Sequence, residues 1–234
     1  MNTDALIVAK TAERVLPLAR AKLGDEYYYQ SVPLCFIDAV WSLGVRYEGV
    51  RNVIAHYSSY FKLQRTRSSR DSVPAQNEQE STSHFCESAE KIGPAAMATV
   101  VFKNAQRTSP INGILKSEGV YRFASVLRKH KVEYLQDVKS VINSSKFESD
   151  IMAIPGQTKG KSLKYFFMLS GSDDLIKPDR MILAFLENAL GRTVSSLECQ
   201  SILSAACGQL ASSYRSLTPR LLDHEIWKYQ REKA

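Results

Sequence analysis

Apolar side chains return every three or four positions along most of the chain, and they nowhere alternate long enough to line one face of a strand. Leu6, Ile7, Val15, Leu16, Leu18 and Leu23 predict an amphipathic helix from Thr3 to about Leu23, stopped by Gly24. The same reasoning predicts helices over Leu34–Ser42, Tyr47–Phe61, Ala95–Lys103, Gly113–His130, Glu133–Val141, Gly160–Leu169, Pro178–Leu190, Ser195–Tyr214 and Pro219–Arg231. Ser109-Pro110 and Asn143-Ser144-Ser145 are turn signals between them. Residues 65–82 carry one aliphatic side chain besides alanine and no helical stripe, so a mobile surface loop is expected there. With no internal repeat to suggest a solenoid, the expected class is an irregular all-α fold.

At 234 residues, 44% of them hydrophobic, the chain can bury a full core. It has no apolar run of about 18 residues to cross a bilayer, and its first 25 residues carry charges throughout. A cytoplasmic protein with no membrane partner is expected. The net charge of +7 favours a polyanionic partner such as nucleic acid. Cys35, Cys86, Cys199 and Cys207 lack the close spacing that zinc or an iron–sulfur cluster requires, and read as reduced core thiols. His56, His84, His130 and His224 fall in no metal-ligating pattern, so neither a metal nor a cofactor is implied.

Two segments carry chemistry. Ile154-Pro155-Gly156-Gln157-Thr158-Lys159-Gly160 places two glycines and a lysine between helical stretches, with Lys161 directly after. Glycine admits backbone conformations that let main-chain N–H groups approach an anion at a helix start, and nearby lysines attract phosphate without regard to sequence. Ile176-Lys177-Pro178-Asp179-Arg180-Met181-Ile182 opens a helix with an aspartate at its start. Asp179 by itself suits a helix cap, worth about 0.5–2 kcal/mol, with a catalytic carboxylate as the alternative.

Together these segments resemble the signature of the helix-hairpin-helix DNA glycosylase superfamily, which includes endonuclease III and the 8-oxoguanine glycosylases. In that family a Leu-Pro-Gly-x-Gly hairpin precedes a Val-Asp segment bearing an essential aspartate. Ile154-Pro155-Gly156 matches the start of the hairpin and Pro178-Asp179 the Val-Asp segment, whereas Gln157-Thr158-Lys159 fills a space where the family has one residue. Lys161 stands 18 residues before Asp179, a spacing at which bifunctional members carry a Schiff-base lysine; a phosphate-binding lysine fits there equally. Pro-Gly-Gln, Lys-Pro-Asp-Arg-Met and the run Leu217–Trp227 also look like a little-characterised bacterial branch of the superfamily without the iron–sulfur cluster.

The resemblance implies a two-lobed fold: a six-helix barrel lobe over residues 31–190, with the helix-hairpin-helix at about 148–170, and a lobe of terminal helices from 1–30 and 191–234. The active site would lie in the cleft between them. A monomer acting on double-stranded DNA is implied, excising a damaged or modified base in DNA repair or in defence against phage DNA with modified bases. Gly156, Gln157, Thr158, Lys159 and Gly160 would grip the backbone, and Arg46 and Tyr47, after Gly44, would wedge into the duplex. Cleaving an N-glycosidic bond builds positive charge on the sugar, which Asp179 would stabilise. The extruded base needs aromatic walls, for which Tyr165, Trp41, His224 and Trp227 are candidates. A non-catalytic helix-hairpin-helix DNA-binding protein is the alternative.

Overall fold

The computed structural model describes residues 3–69 and 72–233; Arg70 and Asp71, within the expected loop 65–82, lie outside the described residues. The described residues form α1 (Thr3–Val15), α2 (Val32–Trp41), α3 (Tyr47–Phe61), α4 (Thr82–Ile92), α5 (Met97–Val100), α6 (Lys116–Lys129), α7 (Ser145–Met152), α8 (Lys161–Leu169), α9 (Arg180–Leu190), α10 (Ser196–Leu210) and α11 (Pro219–Glu232), with no strand among them. The all-α class is as expected. No helix among them is long and apolar enough to cross a membrane.

The chain divides into two compact units, Asp25–Ser170 and Met1–Gly24 with Gly171–Ala234. Residues 171–190, assigned from sequence to the barrel, therefore pack with the terminal helices.

In the Asp25–Ser170 unit α2 is the hub: all ten of its residues are buried, and α3, α4, α6 and α8 pack around it. Phe36 meets Phe85 edge-on at 4.9 Å, and Trp41 lies 4.5 Å from Phe102. Each such side chain contributes about 1.5–3 kcal/mol by leaving water. The carbonyls at the end of α2 and just beyond it are satisfied by a buried lysine, since Lys116 Nζ donates to Trp41 O and Leu43 O, both at 2.8 Å. A cation at a helix C-terminus also complements the dipole.

In the other unit α1, α9, α10 and α11 pack together. Ala5, Val8, Ala9 and Ala12 line the buried side of α1, and their small volume allows α10 to approach closely. α9 buries Ile182, Phe185 and Leu186, and α11 buries Leu222 and Ile226.

Several boundaries differ from the sequence reading. α1 stops at Val15, not near Leu23, because Pro17 has no amide proton and disfavours helix in the residue before it. The sequence reading missed α4 altogether, although Phe85, Cys86 and Ala89 make its buried stripe and Ser81 Oγ accepts from the His84 amide at 3.0 Å. Ala95–Lys103 shortens to α5, and Glu133–Val141 is a 3₁₀ turn over Leu135–Ser140. The described part of the 65–82 segment is tied down rather than loose. Gln79 Nε2 and Gln136 Nε2 both donate to Pro74 O, Arg67 Nε donates to Tyr29 O, and Tyr57 OH donates to the buried Glu80 carboxyl at 2.7 Å.

Candidate functional site

The turn between α7 and α8 is built around its two glycines. Pro155 and Gly156 occupy the centre of a type II turn, closed by the Gln157 amide donating to Ile154 O at 2.9 Å. Gly156 has φ +89°, as the third position of that turn requires, and its backbone lies against Thr108: a Cβ there would come within 2.4 Å of Thr108 Cβ. Gly160, at φ +62°, is the N-cap of α8, its amide donating to Gln157 O and its carbonyl accepting from Lys164 N at 3.1 Å. The first amides of α8 have no earlier carbonyl of their own helix to bind, so that end is a ready site for an anion.

Pro155, Gly156, Thr158 and Lys159 are exposed, and Lys161 is half-buried at the start of α8. No acidic residue occurs from 151 to 172, whereas Lys159, Lys161 and Lys164 fall within it, so the local field is positive. Gln157 differs from its expected part as a DNA contact. It is only 1% exposed, and its side chain turns inward, where its Oε1 accepts from Ser162 Oγ. It braces the turn against α8.

Thr108 belongs to a second loop beside the hairpin. The Thr108 amide donates to Ile114 O at 2.9 Å, and Arg107 Nη1 donates to Gly113 O at 2.7 Å, which fold the loop back on itself. Ile111 at its tip is 79% exposed. The sequence reading passed over it, because Ser109-Pro110 signals a turn but says nothing of what the turn stands beside.

The same unit has an open cavity of about 230 Å3 lined by Asp25, Glu26, Tyr29, Tyr47, Arg51, Ile54, Arg65 and Thr66. The Tyr47 ring stacks on Tyr27 at 6.0 Å and 11°. Behind this wall Tyr29 OH donates to Asp38 Oδ2 at 2.7 Å, and Asp38 is fully buried. Tyr165 belongs to this neighbourhood: burial first, then the charge of Asp38, pushes its hydroxyl and that of Tyr29 well above the ordinary tyrosine range. Both hydroxyls stay protonated, and that of Tyr29 donates to Asp38. A lone aspartate in the otherwise apolar Val32–Trp41 run was the signal that sequence reasoning overlooked.

Two expected roles change here. Trp41 is 0% exposed against Phe102, so it fills the core and walls no open pocket. Tyr47 is half-buried in the cavity wall rather than projecting as a wedge, while Arg46, the N-cap of α3, is exposed.

Asp179, His224 and Trp227 belong to the other unit. Asp179 is the N-cap of α9, its Oδ1 accepting from the amides of Met181 at 2.8 Å and Ile182 at 3.2 Å. The capping role is thus realised, and it holds a partly exposed carboxylate in one orientation. His224 and Trp227 stack at 6.3 Å on α11, with Arg231 over the Trp227 ring. Asp223, beside them, is buried; desolvation, with a smaller contribution from the charge of Asp179, pushes its carboxyl up to about 8. All four cysteines are buried thiols outside any disulfide, and no cluster of three metal-ligating side chains occurs among the described residues.

Residues 6–231 match the model of a family described as a domain of unknown function (DUF8548). No curated protein and no solved structure matches the chain.

Proposed function

We propose that this chain, which belongs to the DUF8548 family, is a DNA glycosylase of the helix-hairpin-helix kind that excises a damaged or modified base from duplex DNA. The observation that carries the reading is the α7–α8 turn: a Pro-Gly type II turn followed by a left-handed glycine N-cap, in a stretch from 151 to 172 that carries lysines and no acidic residue. Such a turn offers backbone amides and positive charge to a phosphate while keeping side chains out of its way. Exposed Ile111, on the loop against Gly156, adds an apolar tip suited to entering a base step.

In this reading the chain has the two-lobed fold of that superfamily and acts as a monomer. The target nucleotide leaves the stack, and its base is held by aromatic faces and a few polar groups. Asp179 provides the fixed negative charge that stabilises the sugar as the N-glycosidic bond lengthens and the base departs. Water then completes a simple excision. Alternatively the Lys161 amine attacks the anomeric carbon, giving a Schiff base and strand cleavage.

The test uses duplex oligonucleotides carrying a panel of damaged and modified bases, including modified cytosines, scored for abasic sites. Asp179→Asn keeps a good N-cap and so separates chemistry from folding. Excision should vanish with DNA affinity and melting temperature unchanged; an Asp179→Asn protein that excises at the wild-type rate overturns the assignment. Borohydride trapping of a covalent adduct, lost in Lys161→Ala, identifies the amine route.

A second reading, a non-catalytic DNA-binding protein, is favoured by the fact that Asp179 Oδ1 is engaged in capping α9. It predicts tight duplex binding without abasic sites on any member of the panel.

A further inference from the structure

The segment that delivers Asp179 has no helix or strand of its own, and side chains from two neighbouring helices hold its backbone. From α10, Gln200 Nε2 donates to Asp174 O at 2.9 Å while its Oε1 accepts from Ile176 N at 3.1 Å. From α11, Asp223 Oδ1 accepts from Lys177 N at 2.9 Å. The Arg220 amide and Nη1 both reach Asp173, at its carbonyl oxygen and its Oδ1. The chain then closes on itself, the Asp179 amide donating to Lys177 O at 2.6 Å, and the carboxylate of the same residue caps α9.

We infer that Asp223, with Gln200 as its counterpart on α10, is a positioning residue that fixes the Asp179 carboxylate, and that the Leu217–Trp227 run exists in this protein to bring Asp223 to the Lys177 amide. Asp223 is only 7% exposed, and burying a carboxyl is costly unless what it binds repays the loss of water. It binds the backbone two residues ahead of Asp179, where a small displacement carries directly to the capping carboxylate. Thr218 and Pro219 set the start of α11: Thr218 Oγ1 accepts from Leu221 N at 3.2 Å, and Pro219 occupies the first turn. One turn further on lies Asp223. The catalytic part of this inference rests on the glycosylase reading of Asp179; the positional part does not.

The test therefore has two arms on the full-length protein. Hydrogen exchange at the Met181 and Ile182 amides, which donate to Asp179 Oδ1, reports where that carboxylate sits without any activity. Asp223→Ala should lose protection at both, and Gln200→Ala, which leaves no buried charge behind, should lose part of it. Asp223→Asn retains an oxygen for the Lys177 amide and should keep protection near wild type.

In single-turnover excision, Asp223→Ala should slow the bond-breaking step by about 10- to 100-fold, the scale of a misplaced catalytic group, with duplex affinity unchanged. Asp223→Asn should restore it. Unchanged protection at Met181 and Ile182 in both alanine variants overturns the inference, as does an Asn variant no better than Ala. If the wild-type protein excises nothing, the glycosylase reading fails, and the exchange arm alone decides whether Asp223 holds Asp179. Should Asp223→Ala not fold, Gln200→Ala carries both arms.

Discussion

Replacing Asp223 by Asn should make the protein more stable at neutral and alkaline pH, by an amount that grows up to about pH 8 and then levels off. The folded-state carboxyl is raised from 3.8 to about 8, mainly by burial. Below the unfolded value both states are protonated, and the group contributes nothing. Between pH 4 and 8 the unfolded chain releases this proton and the folded chain keeps it, so stability falls as pH rises, by about 1.4 kcal/mol per pH unit. Over pH 5 to pH 8 this amounts to about 4 kcal/mol, lost by the wild type and not by Asp223→Asn. Above the folded value the loss levels off, because both states are ionised. Lys177 N–H keeps an acceptor in the variant, so the hydrogen bond is not the variable. Urea unfolding of both proteins at intervals from pH 5 to pH 9 measures the difference directly, and other buried acids such as Glu80 cancel in it because both proteins share them. A difference that stays flat across this range refutes the argument that Asp223 is buried in protonated form.

Gly156→Ala should be destabilising by about 1–3 kcal/mol, since it needs a positive φ and brings Cβ within 2.4 Å of Thr108 Cβ; thermal melts check the cost, and weakened duplex binding should accompany it. Lys159→Gln should lower DNA affinity evenly across sequences and reduce the salt-dependence slope by about one, read by fluorescence anisotropy at several salt concentrations. Asp179→Ala, unlike Asp179→Asn, should also cost about 1 kcal/mol of stability through the lost cap, measured by chemical denaturation. Trp41→Ala should cost about 3–5 kcal/mol as a core truncation, with any loss of excision tracking the fraction unfolded.

The helical class was readable because it depends on spacing along the chain, and the buried stripes of α3, α8 and α11 fall where the periodicity puts them. The role of the hairpin glycines was readable too, as positions where the backbone takes conformations closed to other residues, while the type II turn at Gly156 and the left-handed cap at Gly160 were seen only in the fold. Where several rules competed, boundaries slipped. Pro17 outweighed the apolar spacing beyond it, and the polar residues of α4 hid a stripe of three buried positions.

Direction and burial of side chains were another matter, because they depend on which helices pack together. Gln157 and Lys159 are equally polar neighbours of Thr158, yet the first points into the protein and the second into solvent. Trp41 was a plausible pocket wall until the packing of α2 at the centre of its unit buried every face of that helix. Asp223 is an ordinary aspartate in the sequence; burial and, less, the charge of Asp179 raise its carboxyl only once the chain has folded, and folding likewise brings Asp38 to Tyr29. The sequence by itself determined most of the helices, the Pro-Gly turn and the cap at Asp179, since each follows from backbone chemistry over a few residues. The tyrosine-lined cavity and the Asp223 tie to Lys177 were decided by tertiary structure alone, because residues up to 46 positions apart acquire their energetics only when folding removes water from between them.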